Sequence, residues 1–402
     1  MPASRQAQSD LLRTVYQPWL RRSFNVDSVI SHSFERKEKT LALGEQLSFP
    51  LHTQGGSTYQ WTTANKLPAP DAQVYDRATF TYRMMTNRIQ IAGDFIQDAK
   101  GGKTSEAKPV DAEMRGLLVD IRHGLNFDFF GNGTALQATA AGATSSTVMT
   151  VDSVRGLRNN MRVDIIKKAD GTVGGGASEV RILIDAATLT ITLQDGAALA
   201  DFNEVNSNAS DYGIYRHDSR NKAIFGLDAI ISTSNPAAGN YGNIDRTAAG
   251  TDYWKGKHHH NSGTPRNVSD TIMQDMVDDI DTTSNCRTNL IVTTHDIWSS
   301  IANGRVSLKR YNGNMLRSDG WWQALDWAGI PIVRDKHCQP GRMYFLDTNS
   351  FWICQDSEGK WMDDGSVLSR VDGYVAYEAA WHRQLQMVCL QPNGNGKVDD
   401  LQ

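Results

Sequence analysis

The chain has 402 residues, 40% hydrophobic and 21% charged, which is long enough for two or three packed domains and too apolar for general disorder. A formal net charge of -4 excludes the strong basic excess of proteins that grip nucleic acid through its phosphates. No apolar run reaches bilayer length, no signal-peptide pattern opens the chain, and the four cysteines (Cys286, Cys338, Cys354, Cys389) lack CxxC spacing, so the expectation is a cytoplasmic product with reduced core thiols and no membrane partner.

Residues 1–39 mix charges, with Arg21-Arg22 and Arg36-Lys37-Glu38-Lys39, and no helical stripe persists through Pro18. They read as an arm that orders on contact with another surface, or as a frayed terminus. Residues 40–77 read as an extended hairpin, alternating from position 45. Leu47, Phe49 and Leu51 form one apolar row, Gly55-Gly56 a turn, and Tyr59 and Trp61 the return, until Pro68 and Pro70 stop the run. So few apolar residues predict a hairpin that needs a neighbouring subunit to lie on.

Ala78, Phe80, Tyr82, Met84, Ile89 and Ile91 predict a strand within 78–134. Pro109 then opens the clearest helix, to about 130, with Val110, Met114, Leu117, Ile121 and Leu125 on one face. Gly131-Asn132-Gly133 ends it. Residues 135–222 begin with small side chains and continue with short β segments at 147–151, 161–166, 179–185 and 188–193, turned by Asp170-Gly171 and Asp195-Gly196. They predict an inserted β module, a small barrel.

Residues 223–370 read as mixed α/β. The pattern predicts a helix over 268–281 capped by Ser269, a buried strand over 290–292, a short helix over 296–302, and strands over 330–334 and 343–347. Within 371–402 a return strand spans 384–390, and the stretch from Pro392 reads as polar and loose.

The chemistry-like motifs have dull readings. Gly102-Lys103-Thr104 lacks the phosphate-loop glycine five positions earlier, where Gln97 stands. His258-His259-His260 has no other ligands at metal spacing and reads as a polar loop. His295-Asp296 has no nucleophile elbow, and a working His337-Cys338 pair would need a third orienting group and a cleft, so core or turn roles are expected for both. Asp275, Asp278, Asp279 and Asp281 read as a solvated helix face. Trp321, Trp322 and Trp327 read as loop or intersubunit packing. No catalytic, metal or cofactor residue emerges, and the chain reads as a non-enzyme. Expected subunit contacts are Phe49, Tyr59, Trp61, Arg21, Arg22, Trp321 and Trp322.

The order of parts carries a resemblance. Thr81–Gly133, with Asn87-Arg88-Ile89-Gln90 and Ser105-Glu106, resembles the strand and spine helix of tailed-phage major capsid proteins, the Johnson fold shared with encapsulins and herpesvirus floors. The segment from Trp327 to Asp335, then Pro340-Gly341 and Leu346-Asp347, is similar to their axial-domain strand and turn. The resemblance implies an α+β phage major capsid fold: arm 1–39, extended hairpin 40–77, peripheral domain 78–134 with spine helix 109–130, inserted β-barrel 135–222, axial domain 223–370, and 371–402 as return strand and tail. It implies hexamers and pentamers of an icosahedral shell enclosing double-stranded DNA without sequence-specific binding. It also implies a separate scaffolding protein, a portal protein, room for decoration proteins, and Lys66 as the hairpin's one candidate for a covalent cross-link. An encapsulin-like compartment keeps the fold and changes the role. An enzyme or glycan-binding β-rich protein built on the Trp cluster is the alternative of another class.

Overall fold

The computed structural model describes residues 29–38, 42–43, 46–55, 61, 69, 71–92, 109–284, 286–304, 325–356, 359–362 and 369–402. The first element, α1 (Val29–Ser33), leads into β1 (Glu35–Glu38). Val29, Ile30 and Phe34 are buried, and Phe34 stacks on Phe351 with ring centroids 4.5 Å apart. This corrects part of the expected free arm: from Val29 onward the segment folds onto the chain's own core.

β2 (Ala42–Leu43), β3 (Gln46–Gln54) and β4 (Val74–Thr81) form an antiparallel sheet. Leu47 pairs with Phe80 and Phe49 with Ala78, and all four side chains are buried. The hairpin therefore has an anchored base, contrary to expectation, and the strand paired with β3 lies at 74–81 instead of around Tyr59. β5 (Arg83–Ala92) follows directly. α2 (Pro109–Asp128) starts where its sequence says it must, because proline at the first position gives up an amide that has no helical partner anyway. Leu117, Ile121 and Leu125 form its buried stripe, continued by Phe129 and Phe130. Gly133, at φ +85°, takes the left-handed turn that leads away from it.

β6 (Leu136–Ser145), β7 (Val148–Val151), β8 (Arg162–Lys167), β9 (Ala177–Asp185), β10 (Thr190–Leu193) and, after α3 (Phe202–Ser207), β11 (Tyr212–Arg216) close into a barrel in the order β10-β7-β6-β11-β8-β9. Met149, Val163, Ile165, Ile182, Ile191, Tyr212 and Ile214 fill a core separate from the rest. The chain enters and leaves the barrel at one point, where Asn221 N donates to Thr134 O at 3.0 Å. That geometry is what an insertion requires.

The remaining elements are α4 (Leu227–Ile230), β12 (Lys257–His259), α5 (Asp270–Thr283), β13 (Leu290–Thr293), α6 (His295–Gly304), β14 (Leu325–Trp327), β15 (Ile330–Arg334), β16 (Met343–Leu346), β17 (Phe351–Gln355), β18 (Lys360–Trp361), β19 (Ser369–Arg370), β20 (Ala376–Cys389) and β21 (Gly396–Val398). They build two sheets. In the first, β20 pairs with β17, β18, β19 and β5, and β1 adds in parallel to β17. The second runs β12-β21-β16-β13-β15-β14. Met273, Met276 and Ile280 of α5 and Ile297 and Ile301 of α6 pack with Ile291, Ile332, Phe345 and Val398 of this sheet. Ser269 caps α5 as expected, its hydroxyl accepting from Ile272 N at 3.3 Å.

The 392–402 stretch corrects its expectation. It is not loose: β21 lies between β12 and β16, and Asn395, Lys397, Val398 and Leu401 are buried. The triple histidine is likewise not all loop: His258 and His259 belong to strand β12, and His260 follows it.

Candidate assembly surface

Five of the seven expected contact residues, Arg21, Arg22, Tyr59, Trp321 and Trp322, lie outside the described residues, as do Lys66 and Gly102-Lys103-Thr104. The other two sit in opposite environments. Phe49 is packed inside this chain between Phe80 and Trp352, at ring distances of 6.2 and 5.7 Å, and so is a core residue. Trp61 is 91% exposed. Val74 and Tyr75, at the far end of the same hairpin, are also exposed and were not singled out from sequence; an apolar pair next to a polar run was the available signal.

Among its described residues the hairpin thus has a buried base, with Val74, Tyr75 and, separately, Trp61 exposed beyond it. The start of β4 is braced locally. His52 Nε2 lies 2.6 Å from Gln73 Oε1, and its ring is 5.2 Å from that of Tyr75. Tyr253 Oη donates to Asp76 Oδ2 at 2.7 Å, fastening β4 to the loop before β12. Burial, then that carboxylate, pushes the Tyr253 phenol up to about 12. A second set of exposed apolar side chains comprises Met84 on β5, Met362 just after β18, and Tyr374 and Val375 just before β20. Exposed apolar side chains of this kind are what subunit contacts cover.

The chemistry-like motifs are absorbed by the fold. His258 Nε2 is 2.8 Å from Asp399 and His259 Nε2 is 3.2 Å from Asp279, so the two side chains are drawn to different carboxylates. Among the described residues no group of three or more His, Cys, Asp or Glu side chains is placed to hold a metal ion. Asp335 takes both the His337 amide, at 2.8 Å, and its Nδ1, at 3.1 Å. The Cys338 thiol points at the carbonyls of Gln339 and Arg342, and burial raises it far above the range of a reactive thiol. All four cysteines are free and buried, and burial pushes Cys286 up to about 11 and Cys389 up to about 12. Trp327 is buried, with Nε1 donating to Asp270 Oδ1 at 3.1 Å, so it pins the first turn of α5.

Two polar centres went unforeseen. Arg246 is fully buried with no carboxylate; its guanidinium donates to the carbonyls of Trp254, Ala229, Ser234 and Ile230 at 2.7–3.0 Å. Burial lowers it to about 10. Asp228 on α4 takes Lys397 at 2.6 Å and Arg342 at 2.8 Å. Neither position has a local pattern that marks it.

Between the barrel, α2 and the first sheet lie adjoining clefts, two of them about 400 and 490 Å³, both bordered by Met85, Thr86 and Arg216. Their charges are mostly matched within the chain: Arg158 by Asp120, Arg162 by Glu179 and Lys222 by Asp218. His217 and Ser219 line the second cleft, but the Ser219 hydroxyl donates to the His217 carbonyl at 3.1 Å and the His217 ring faces Asp164 at 2.9 Å. Among the described residues no helix is long and apolar enough to cross a membrane.

No protein-family model matches the chain. No curated protein matches it either. Solved structures do. A chain of the cyanophage A-1(L) capsid asymmetric unit superposes with a TM-score of 0.55 at 14% identity, covering 94% of this chain and 93% of that one. The capsid of the native GTA particle gives 0.48 at 7% identity over 94% and 91%. Mycobacterium phage Adephagia gives 0.46 at 9% identity over 100% and 99%. The cyanophage match shows that this chain shares the α+β fold of that chain over 94% of its length.

Proposed function

We propose that this chain is the major capsid protein of a tailed phage, assembling with itself into the hexamers and pentamers of an icosahedral shell around double-stranded DNA. The observation that carries the reading is the likeness to the cyanophage capsid chain over 94% of one and 93% of the other, with no large part of either left over. Fold by itself does not fix function. The surface supports the same reading: Trp61, Val74 and Tyr75 of the hairpin are exposed apolar side chains of the kind that subunit contacts cover. The mild net charge suits a wall that contains DNA without gripping it.

On this reading the first sheet with α2 is the peripheral domain, the second sheet with α5 and α6 the axial domain around the capsomer centre, and the barrel an insertion. The hairpin tip lies on a neighbour, and residues before Val29 reach an adjacent subunit. A scaffolding protein and a portal act during assembly, and decoration proteins have the outer face to bind.

The test is to express the full chain alone and with the neighbouring head genes, then image sedimenting material by electron microscopy. Closed shells of uniform diameter with five- and six-fold capsomers are expected. A monodisperse monomer under both conditions overturns the proposal. Nuclease-protected DNA in native particles separates a phage head from an encapsulin-like compartment loaded with protein.

A further inference from the structure

α2, the barrel and the loop after β15 meet at one junction. The loop, 335–339, is held from two sides. Arg155 Nη1 of the barrel donates to Cys338 O at 2.9 Å, and Gln339 Nε2 donates to Phe130 O at 3.1 Å just beyond α2. Near these ties the His123 ring on α2 rests against the His337 ring, with centroids 5.3 Å apart and planes tilted by 58°. His337 is 3% exposed, and Nε2 of both rings is buried with no hydrogen-bond partner.

The groups facing His123 are nearly all cations. Arg158 comes from the barrel loop, Arg216 from β11 and Lys336 from the 335–339 loop. On α2 itself Asp120 is already matched by Arg158. Asp335 belongs to His337. A proton added to His123 meets no free carboxylate.

We infer that the His123–His337 contact is an acid-sensitive latch between α2 and the 335–339 loop, closed while His123 is neutral and forced open when it gains a proton. His123 is only part-buried and lines the smaller cleft, but its Nε2 is shielded from solvent, and a charge there without a counter-ion or a hydrogen-bond partner is costly. The fold resists that proton: burial first, then Arg158, His337, Arg216 and Lys336, hold His123 down at about 4 against an ordinary 6.5. A depressed imidazole contributes stability that is whole above its ordinary value and is lost as pH falls from there through the folded value. The latch is therefore shut at neutral pH and opens in acid. It acts within one subunit and holds whether or not the shell reading does.

The test uses the full chain and its His123→Gln and His337→Gln variants. Amide-exchange protection, corrected for the intrinsic pH dependence, is followed over 119–127 and 335–339 from about pH 7 to about pH 4.5. In the wild type, protection of both segments falls together by roughly tenfold across that range. In His123→Gln it stays level, and His337→Gln loses less than the wild type. Wild-type protection that does not change, or a His123→Gln profile that overlays the wild type, overturns the latch. Should His123→Gln fail to fold at neutral pH, the wild-type His123 ring resonance decides. Titration below about pH 5 supports the latch, and titration near the ordinary histidine value overturns it.

Discussion

Lys397 Nζ lies 2.6 Å from Asp228 Oδ1, joining β21 to α4 inside a core that neither segment could form alone. Arg342 takes the same oxygen at 2.8 Å and reaches Asp399 at 3.2 Å, and Asp399 in turn takes His258. The chain of charges stitches β21, β12, α4 and the start of β16 together. Burial drives the Asp228 carboxyl upward, but Arg342 and Lys397 outweigh it and hold the group below its ordinary value.

Lys397→Ala is expected to destabilise the fold by about 3 kcal/mol, since it removes one partner of a buried pair and leaves Arg342 to compensate alone. Urea unfolding measures this. A depressed carboxylate contributes stability that is present above its ordinary value and lost as pH falls through its folded one. The gap between wild type and Lys397→Ala should therefore narrow in acid, below the ordinary carboxylate value, and a constant gap would mean the pair does not titrate with folding.

Arg246→Lys should also cost about 3 kcal/mol, although it keeps the charge, because a point ammonium cannot reach four carbonyls arranged around a planar fork. Arg246→Met should cost more, as it leaves all four carbonyls without a donor. Chemical denaturation of the two variants side by side checks both the size and the order.

The two hairpin aromatics should separate cleanly. Phe49→Ala is expected to lower stability by about 3–4 kcal/mol, the cost of a cavity in a packed core. Trp61→Ala should cost subunit stability less than Phe49→Ala does and weaken assembly by about 2 kcal/mol, the scale of a binding anchor. Thermal melts read the first effect and the critical concentration for shell formation reads the second.

The barrel should fold by itself. Its core is private and its ends meet at Thr134 and Asn221, so a fragment spanning 134–222 is expected to melt cooperatively by circular dichroism. Joining 134 to 221 through a short Gly-Ser bridge should leave the rest of the chain folded. A fragment with no melting transition would mean that the barrel borrows its stability from the clefts around it.

α2 was legible because a four-residue apolar step survives on one face from Leu117 through Ile121 to Leu125. The barrel's later strands were legible for a related reason, since β-branched runs there alternate with Asp-Gly turns. β6 was hidden. Its small residues look like a linker, yet Ala138 and Ala140 are buried because an inward-facing wall of a small barrel has room for little more. The 392–402 stretch was misread for the opposite reason. Asn393-Gly394-Asn395-Gly396 has loop chemistry, but Asn395 is claimed by the Asp347 amide and the Ser350 hydroxyl. Partners that distant leave no local periodicity. Phe49 reads as an outward contact and proves to be core because alternation tells which residues share a face, not what that face meets.

The single crossing at Thr134 and Asn221 gives the barrel the mechanics of a body on one pivot. The backbone at that point sets where the barrel is attached but little of how it leans. The lean is set by stays: Arg158 to Asp120, Arg155 to the Cys338 carbonyl, and the Arg216 guanidinium seated against Gly124 of α2. The first is a partly exposed charge pair that salt screens, as is the looser pair of Arg155 with Asp296 at 3.9 Å; the carbonyl and glycine contacts are not charge pairs and keep their hold. The barrel's tilt is therefore a property that ionic strength can adjust while the position of its attachment stays fixed.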